Sequence, residues 1–480
     1  MDWKKNAINV LKDSLFPVPI ELNEIDWKSG LSPKTDRLAQ HISAFANQSN
    51  GGILVFGVNN DGTHFSISKD DADRIIQLLG NIAKNNLSYS IALEHSIIEY
   101  EGSALLFIYI PEQKEKPVHL KGSDIYNSYH RSAGSTVKMS KQQVKLLIAL
   151  SQGISFEEQI ALDNLSQKDV LSLLNYKKFY ELRDKNSPQS SNIIFNNLME
   201  YEFCLQKDNH FAITNLGALL FANNMSDFPT IKNCSIIVRK YIGDSNLELE
   251  FEKIGKYGYA VGFVGLIQFI MNNTPKKEKI QDIRKLEFMY PEIAIREFVA
   301  NALVHQDFAI TGSPVTIEIF SNRISISNVG APLNDINRLI DLPPRSRNEK
   351  LAETMHLLNI CERRGSGIDR AITEIEKKNL PPVKFSKSEQ YTRVFLFAPK
   401  QLNYMTKEEK IRACYQHACI LNEKCIALNN TTLRERFGLD KNKTSVASRI
   451  INDTLEAGYI KPLDDESLSK KGAKYIPYYA

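Results

Sequence analysis

Two polar residues in the third quarter of the chain have the spacing of a nucleotide site. Glu297 and Asn301 are four residues apart in a segment of helical periodicity, so their side chains lie one above the other on a helix face. A carboxylate there can polarise a water for attack on a γ-phosphate, and the amide oxygen can ligate the Mg²⁺ that shields the phosphate charge. Because this spacing is common, a solvated or capping glutamate beside a surface asparagine is the alternative.

Three segments of the same region, in chain order, strengthen the first interpretation. They are residues 294–308, which contain the pair, residues 327–330 (Ser-Asn-Val-Gly) and residues 364–368 (Arg-Gly-Ser-Gly-Ile). Glycines let the backbone approach phosphate oxygens, and a helix that begins at Ile368 offers free N–H groups to them. Over Tyr290 to about Pro399, these segments resemble the Bergerat-fold ATPases of the gyrase, Hsp90, histidine kinase and MutL superfamily, in the divergent branch fused to Schlafen AlbA-type domains.

The resemblance implies a role for each candidate residue around a bound ATP and Mg²⁺. Glu297 would be the general base and Asn301 the magnesium ligand. Asn328 and Gly330 would form the turn that contacts the adenine. Gly365, Ser366 and Gly367, with Ile368, would form the end of the lid that faces the phosphates. The wider superfamily has aspartate where this chain has Asn328. An amide can still accept a hydrogen bond from the adenine amino group, but it is neutral and must be oriented by a neighbour.

Three further side chains are candidates for the same site. Arg345 and Arg347 fall in the segment that would cover the nucleotide, where a guanidinium can bind phosphate in a bidentate manner, although a solvated loop is the alternative. His305 is either a nucleotide contact or a structural histidine just beyond the helix. The chain has no GxxxxGK[ST] motif, so the sequence does not support a P-loop helicase.

The N-terminal part carries a second resemblance. Residues 42–47, the glycine pair and apolar strand of 51–58, and residues 129–136 resemble the Schlafen AlbA-type domain, over about residues 15 to 140. Nuclease members of that family hold a divalent metal with three carboxylates. The resemblance implies that Glu21 and Asp26 are two of these ligands.

The third ligand position of the AlbA-type domain holds an amide, Asn59, and the neighbouring Asp61 is an uncertain substitute. Removing one negative charge from a hard-cation site weakens Mg²⁺ binding. We therefore expect this domain to bind nucleic acid or protein rather than to cleave. Its candidate phosphate contacts are Lys28, His130 and Arg131.

Near the C-terminus, two short helical patterns followed by Gly458-Tyr459-Ile460 resemble a winged helix-turn-helix. The second pattern is apolar on one face and polar or basic on the other, which suits a recognition helix for double-stranded DNA. A helical protein-interaction domain with a charged solvent face is the alternative. The candidate DNA contacts on this helix and in the wing are Lys443, Thr444, Ser445, Ser448, Arg449, Asn452, Lys470, Lys471 and Lys474.

These sites require an α+β multidomain chain. We expect an AlbA-type α/β module in residues 1–152 and a connecting α/β region, packed on the ATPase domain, in residues 153–285. A Bergerat-type α/β sandwich would follow in residues 286–402 and the winged helix in residues 403–480. A helix from Tyr290-Pro291 and a β-hairpin around Ser321-Asn322 would position the nucleotide site.

Composition limits the classes of protein. The 480 residues include 60 basic and 56 acidic ones, a net charge of +4, so any nucleic-acid surface must be a local patch. Six scattered cysteines match no disulfide framework, which predicts a reducing, cytoplasmic environment. Residues 257–271 are apolar but shorter than the roughly twenty residues that span a bilayer, so we expect a buried helix and no membrane association.

The sequence therefore predicts an ATP-binding, slowly hydrolysing, DNA-binding protein that resembles predicted bacterial transcriptional regulators and is gated by the nucleotide. Its expected partners are double-stranded DNA, RNA as a second candidate, and further copies of the chain. The competing class is an anti-phage or stress effector whose N-terminal domain is a metal-dependent nuclease triggered by ATP. A nucleotide-dependent scaffold without turnover is a third.

Overall fold

A computed structural model describes residues 3–15, 19, 21–31, 35–132, 134–151, 153–280, 284–310, 312–343, 345–361, 367–388, 390–463 and 473–480. The chain divides into two compact units, an N-terminal unit, Met1–Ser155, and a C-terminal unit, Phe156–Ala480. Both units mix helices with β-sheets, so the chain is α+β as predicted. The finer division of the C-terminal unit into three domains stays a prediction.

The N-terminal unit is built around a four-stranded sheet. Its helices are α1 (Trp3–Leu15), α2 (Thr35–Asn47), α3 (Lys69–Asn85) and α4 (Lys141–Ser151). Its strands are β1 (Ile25–Lys28), β2 (Gly52–Phe56), β3 (Glu94–Tyr100), β4 (Ser103–Ile110), β5 (Tyr129–Ser132) and β6 (Ser135–Lys138). The sheet order is β1-β2-β4-β3, with β1 and β2 parallel and the other neighbours antiparallel, and β5 and β6 form a separate hairpin.

The central strand β2 is buried along its whole length because both faces of the sheet are covered. Leu54 and Phe56 pack with apolar residues of α2 and α3 on one face. Ile53 and Val55 pack with α1 on the other face. This explains why β2 is continuously apolar instead of alternating.

The C-terminal unit is larger. Its helices are α5 (Gln167–Leu173), α6 (Tyr176–Glu181), α7 (Ser191–Glu200), α8 (Asn215–Phe221), α9 (Tyr259–Asn273), α10 (Glu292–Val304), α11 (Glu349–Leu357), α12 (Gly367–Lys377), α13 (Lys407–Glu423), α14 (Asn430–Arg436) and α15 (Thr444–Glu456). Its strands are β7 (Ile160–Leu165), β8 (Cys204–Lys207), β9 (His210–Thr214), β10 (Ile237–Tyr241), β11 (Leu249–Ile254), β12 (Lys276–Ile280), β13 (Arg284–Phe288), β14 (Thr316–Ile319), β15 (Arg323–Val329), β16 (Lys384–Lys387), β17 (Tyr391–Phe397), β18 (Ile460–Pro462) and β19 (Tyr475–Pro477).

A six-stranded sheet with the order β11-β10-β14-β15-β17-β16 organises the C-terminal unit. The pair β10–β14 is parallel and the other neighbours are antiparallel. Buried isoleucines alternate along β14 and β15, and Ile317, Ile324 and Ile326 share one core with α9, α10 and α12. One face of the sheet therefore carries the helices, and the residues between the isoleucines lie on its other face.

The elements predicted around the candidate site are present. The β14–β15 hairpin turns at Ser321-Asn322, with Ile319 opposite Ile324. However, β15 continues to Val329, so Asn328 belongs to the strand, paired with Thr392, and not to the turn that was expected. The alternation of the sequence predicts a strand only over residues 323–327, and the strand is longer because β17 pairs with it over its whole length.

The apolar segment 257–271 forms the expected buried helix, α9, with Tyr259, Phe263, Ile267 and Ile270 in the core. Within the described ranges, no helix combines the length and apolarity needed to cross a membrane. All six cysteines are free thiols. At the C-terminal end, α13, α14 and α15 enclose a small core of their own, and β18 pairs antiparallel with β19 beside it.

Candidate nucleotide site

Helix α10 carries the candidate base and the candidate magnesium ligand. Pro291 immediately precedes the helix, where its missing N–H costs no hydrogen bond. Glu297 is 8% exposed, whereas Asn301, one turn later, is half-buried. The four-residue spacing thus puts both side chains on the same side of one helix.

Glu297 lies against the first residue of α12. Gly367 is buried there, and a β-carbon built at this glycine would overlap the Glu297 carboxylate. An alanine at this position would therefore require the Glu297 carboxylate, the end of a flexible side chain, to move. The first N–H groups of a helix lack intrahelical partners and form its positive end, so the Glu297 carboxylate borders such an end.

The surroundings of Glu297 suit a proton acceptor. Burial raises the pKa of its carboxyl group above the ordinary glutamate value, while the positive charges of Arg370 and Arg296 lower it. A carboxylate with a raised pKa holds a proton more strongly than free glutamate does, and a general base needs this property.

The side-chain amide of Asn328 is held in one orientation. The side chain is buried, and its Nδ2 donates to the backbone oxygen of His305 at 3.2 Å and to that of Val329 at 3.1 Å. Because carbonyls engage the amide N–H groups, Oδ1 is left as the acceptor of this side chain. The neighbour that must orient this amide is thus the backbone at the end of α10.

The turn after β15 requires glycine at position 330. Gly330 has a φ of +115°, which L side chains rarely adopt. A β-carbon at this residue would also lie 3.1 Å from Arg347 Nη1 and 3.2 Å from the backbone oxygen of His305. The Gly330 N–H donates to the backbone oxygen of Gln390 at 2.7 Å, which fixes the turn against the strand β17 region.

Arg347 stabilises the same turn. Its Nη1 donates to the backbone oxygen of Ala331 at 2.8 Å, and its Nε lies 3.6 Å from Asp307 Oδ2. Burial, followed by the charge of Arg347, lowers the pKa of His305 to about 4, so the imidazole is neutral at pH 7. Arg345, in contrast, is solvent-exposed.

Two residues of this site were missed by sequence reasoning, Asp307 and Asn348. The Asp307 N–H donates to the backbone oxygen of Val329 at 2.8 Å. Asn348 is buried, and its Nδ2 donates to the backbone oxygens of Val304 at 2.8 Å and Gln306 at 2.7 Å. Polar side chains often donate to the free carbonyls at the end of a helix. This contact could not be predicted from the sequence, because it requires knowing that the segment around Asn348 lies against the end of α10.

Four predicted site residues lie outside the described residues. These are Gly365 and Ser366 of the glycine turn, and Lys470 and Lys471 of the wing. Gly367 is the described residue of the glycine turn, and Lys474, at the other end of the wing segment, is exposed.

In the N-terminal unit, Asp26 is the centre of a buried ion cluster. The side chain is 1% exposed, its Oδ1 accepts from Lys28 Nζ at 2.9 Å, and its Oδ2 lies 2.9 Å from Arg131 Nη1 and 3.0 Å from His41 Nδ1. Burial would raise the pKa of Asp26, but the hydrogen bond and charge of His41 and the charge of Lys28 hold it well below the ordinary range. Protein cations therefore already occupy both oxygens of this predicted metal ligand.

The other predicted metal ligand, Glu21, lies beside this cluster, with Oε2 3.8 Å from Arg131 Nη2. Burial, followed by the charge of Asp26, raises the pKa of Glu21 to about 7. Asn59 Nδ2 donates to Thr63 Oγ1 at 3.0 Å in the turn after β2. Among the residues that the structure describes, no group of three or more His, Cys, Asp or Glu side chains could hold a metal ion.

Helix α15 presents its predicted DNA contacts to solvent. Ala447, Ile450 and Ile451 are buried on its inner side. The exposed residues of the helix and its cap include Lys443, Thr444, Ser445, Ser448, Arg449 and Asn452. The preceding helix α14 supports this face, because Asn430 Nδ2 donates to Ser448 Oγ at 3.0 Å.

Fold and site thus define an α+β chain with an α/β module at its N-terminus and an ATPase-like domain in its C-terminal unit. Two family models match it, "Schlafen, AlbA_2" over residues 21–140 and "Putative ATP-dependent DNA helicase recG C-terminal" over residues 312–396. The chain therefore carries a Schlafen AlbA_2 domain followed by a RecG-like C-terminal ATPase domain, which confirms the resemblance at the level of these two domains, while the Bergerat fold and the winged helix stay predictions. Asn328 and Gly330 lie within the second match, and Glu297 and Asn301 precede it.

Two solved structures are similar to this chain. The DIP2311 protein from Corynebacterium diphtheriae is 13% identical, with a TM-score of 0.42, over 99% of this chain and 96% of that protein. The N-terminal domain of a RecG-related protein from Nitrosomonas europaea, described as an ATP-dependent DNA helicase, is 21% identical, with a TM-score of 0.21, over 28% of this chain and 92% of that domain. No curated protein matches the sequence significantly.

Proposed function

We propose that the protein binds ATP and double-stranded DNA, hydrolyses ATP slowly and acts in the cytoplasm as an oligomeric, nucleotide-gated transcriptional regulator. The observation that carries this proposal is the double role of α10. Glu297 borders the start of α12, and roughly 12 Å further along, at about 1.5 Å per residue, the carbonyl of His305 orients Asn328. One helix thus carries the carboxylate for the phosphate end of a nucleotide, and the carbonyl that follows the helix orients the Asn328 amide for the base end.

The residues present fit a magnesium nucleotide. The amide oxygen of Asn301 is a hard donor of the kind that Mg²⁺ prefers. Gly330 and Gly367 let the turn after β15 and the start of α12 pack closely around the site, because a β-carbon at either position would crowd Arg347 or Glu297. When bound, ATP with Mg²⁺ would supply the electrophilic phosphorus. Glu297 would take the proton of the attacking water, and Asn328 Oδ1 would accept a hydrogen bond from the adenine amino group.

Two features support nucleic-acid binding. The exposed polar and basic face of α15 suits the major groove of DNA, with Lys443 and Arg449 as phosphate or base contacts. In the AlbA_2 domain, the ion cluster of Asp26 favours binding over cleavage, since a metal ion would have to displace three basic side chains. A domain of this family joined to an ATPase-like domain fits an ATP-dependent function on nucleic acid.

The proposal is tested by ATP binding and phosphate release in the wild type, Glu297→Gln and Asn301→Ala. The control is Glu292→Gln, an exposed glutamate of the same helix. We expect Glu297→Gln to bind ATP but to release phosphate about 100-fold more slowly, because a general base contributes at least that much. Asn301→Ala should weaken Mg²⁺-dependent ATP affinity, and Glu292→Gln should match the wild type.

The pH dependence provides a second readout of the same experiment. Glu297 acts only when deprotonated and its pKa is raised, so the wild-type rate should rise with pH at values above the ordinary glutamate range. Glu297→Gln should lack this rise. A wild type that binds no ATP, or a Glu297→Gln variant with the wild-type rate, would refute the assignment.

A further inference from the structure

A cavity lies on the face of the six-stranded sheet that carries no part of the candidate nucleotide site. Its volume is about 410 Å³, within the range of small-molecule sites. It is lined by the loop residues 244–246 and by Glu318, Phe320, Arg323, Ser325, Arg393 and Phe395. In β15, Ser325 alternates with the buried Ile324 and Ile326, whose side chains pack with α10, so the cavity is on the opposite face.

The floor of the cavity holds polar atoms without hydrogen-bond partners. Ser325 is 1% exposed, and its Oγ has no partner among the described residues. The Nε of Arg393 is buried and equally lacks a partner in the described part of the chain. Buried donors are rarely left unpaired, because each unmade hydrogen bond costs free energy. Two such donors lie beside one cavity and are candidates for pairing with a ligand.

Both guanidinium groups of the cavity are held by aromatic rings. The guanidinium carbon of Arg323 lies 3.8 Å from the centroid of the Phe320 ring, and that of Arg393 lies 5.5 Å from the Tyr391 ring. Arg323 Nη1 also donates to the backbone oxygen of Asp244 at 2.8 Å. Across the described residues, no carboxylate pairs with either group at ion-pair distance. Arg323 Nη1 donates in addition to Asn322 Oδ1 at 3.0 Å, so the other N–H groups of the two arginines are the candidates for binding an anion.

Two acidic residues, Asp244 and Glu318, also line the cavity. Glu318 stands directly opposite Arg239 in the β10–β14 register, and directly opposite Ser325 in the β14–β15 register. Phe395 continues the same row on β17. Across β14, β15 and β17, the row of paired residues therefore consists of the Glu318 carboxylate, the Ser325 hydroxyl and the Phe395 ring. The two arginines lie beside this row.

We propose that this cavity binds a phosphorylated ligand of the size of a nucleoside monophosphate. Its phosphate would lie between Arg323 and Arg393 and accept from Ser325 Oγ, since guanidinium groups bind phosphate through paired N–H groups. Sugar hydroxyls would donate to Glu318, and the base would contact Phe395. The source of this chemistry is either a free nucleotide or the 5′-phosphate end of a nucleic-acid strand. The inference does not depend on the proposed ATP site.

Calorimetric titration of the full-length protein tests the cavity, with AMP, adenosine, a 5′-phosphorylated trinucleotide and the same trinucleotide without phosphate. The variants are Arg393→Gln and Ser325→Ala, with Lys384→Gln as the control. Lys384 is an exposed cation on the same row, opposite Phe395, that does not line the cavity. We expect a phosphorylated probe to bind at least tenfold more tightly than its unphosphorylated form. Arg393→Gln should weaken it tenfold or more, Ser325→Ala several-fold and Lys384→Gln less than twofold.

The four probes separate the two sources, because a free nucleotide site binds AMP and a strand-end site binds only the phosphorylated trinucleotide. Ser325→Ala removes one hydroxyl from a strand and keeps the result interpretable if Arg393→Gln does not fold. Equal binding with and without phosphate would overturn the proposal. The same holds if Arg347→Gln weakens AMP binding while Arg393→Gln and Ser325→Ala leave it unchanged, because the ligand would then occupy the candidate nucleotide site.

Discussion

Gly367 and Glu297 share a volume in which no β-carbon fits. In Gly367→Ala, either the carboxylate or the start of α12 must move. Because the carboxylate ends a flexible side chain and can turn aside, we expect a loss of only about 1 kcal/mol in the free energy of unfolding, the lower end of the cost of overpacking, together with loss of ATP hydrolysis. Urea denaturation followed by circular dichroism and a phosphate-release assay measure the two effects.

The matched control for this substitution is Gly265→Ala. Gly265 is also helical, in α9, but a β-carbon there would meet no atom within 4 Å. Alanine has the higher helix propensity, so this variant should be neutral or more stable by up to about 1 kcal/mol. If both variants behave alike, the contact between Gly367 and Glu297 does not restrict the site.

At the scale of single residues, the sequence predicted the candidate pair Glu297 and Asn301 but not the contacts that support the site. Glu297 and Asn301 could be found because a four-residue spacing has a fixed meaning on a helix. The orientation of Asn328 could not, because it depends on a carbonyl at the end of α10, a contact between distant segments. Asp26 was assigned to a metal site, whereas the structure surrounds it with His41 and Arg131, and neither contact follows from local spacing.

Among the elements, α12 joins two polar sites. Its first residue, Gly367, borders Glu297, and near its last turn Glu376 lies 3.0 Å from Arg436 Nε and 2.9 Å from His417 Nδ1. Arg436 belongs to α14 and His417 to α13, and both side chains are largely buried. One helix of eleven residues thus connects the candidate nucleotide site to α13 and α14, the helices that pack on α15.

Removing the charge of Glu376 should destabilise this junction. In Glu376→Gln the buried guanidinium of Arg436 loses its counter-ion, and breaking a buried pair in this way costs about 3–5 kcal/mol. The control is Glu374→Gln on the same helix, whose partner Lys377 is exposed, so its loss should cost less than about 1 kcal/mol. Guanidinium chloride unfolding of both variants measures the difference, and equal midpoints would contradict a stabilising role for the cluster.

Local patterns predicted α10 and the β14–β15 hairpin, since both are encoded by contiguous periodicity and a turn. They did not place β10 in the same sheet. β10 pairs in parallel with β14, and parallel neighbours need a long crossover whose end cannot be read locally. For the same reason β15 was predicted too short, because its last residues become a strand only through pairing with β17.

In the molecule as a whole, a chain of contacts leads from the candidate nucleotide site to α15 within the C-terminal unit. α10 packs on α12, α12 contacts α13, and α13 packs closely on α15. A nucleotide that moves Glu297 or the start of α12 would therefore act on the elements that position α15. Such a path becomes allosteric coupling only if nucleotide and DNA change each other's affinity.

We expect ATP with Mg²⁺ to change the affinity of the full-length protein for double-stranded DNA at least about fivefold, the lower end of typical coupling. Fluorescence anisotropy with labelled DNA, with and without ATP, measures this at several salt concentrations. Replacing Lys443 and Arg449 by alanine should weaken DNA binding and reduce the slope of log affinity against log salt by about 2, since each lost phosphate contact removes about 0.9. Glu376→Gln, assayed where it remains folded, should still bind ATP and DNA but lose the ATP effect, because the link between α12 and α14 is broken. An undiminished ATP effect in Glu376→Gln would show that the coupling does not pass through α12. An unchanged salt slope in the variant that lacks Lys443 and Arg449 would show that α15 does not contact the DNA backbone.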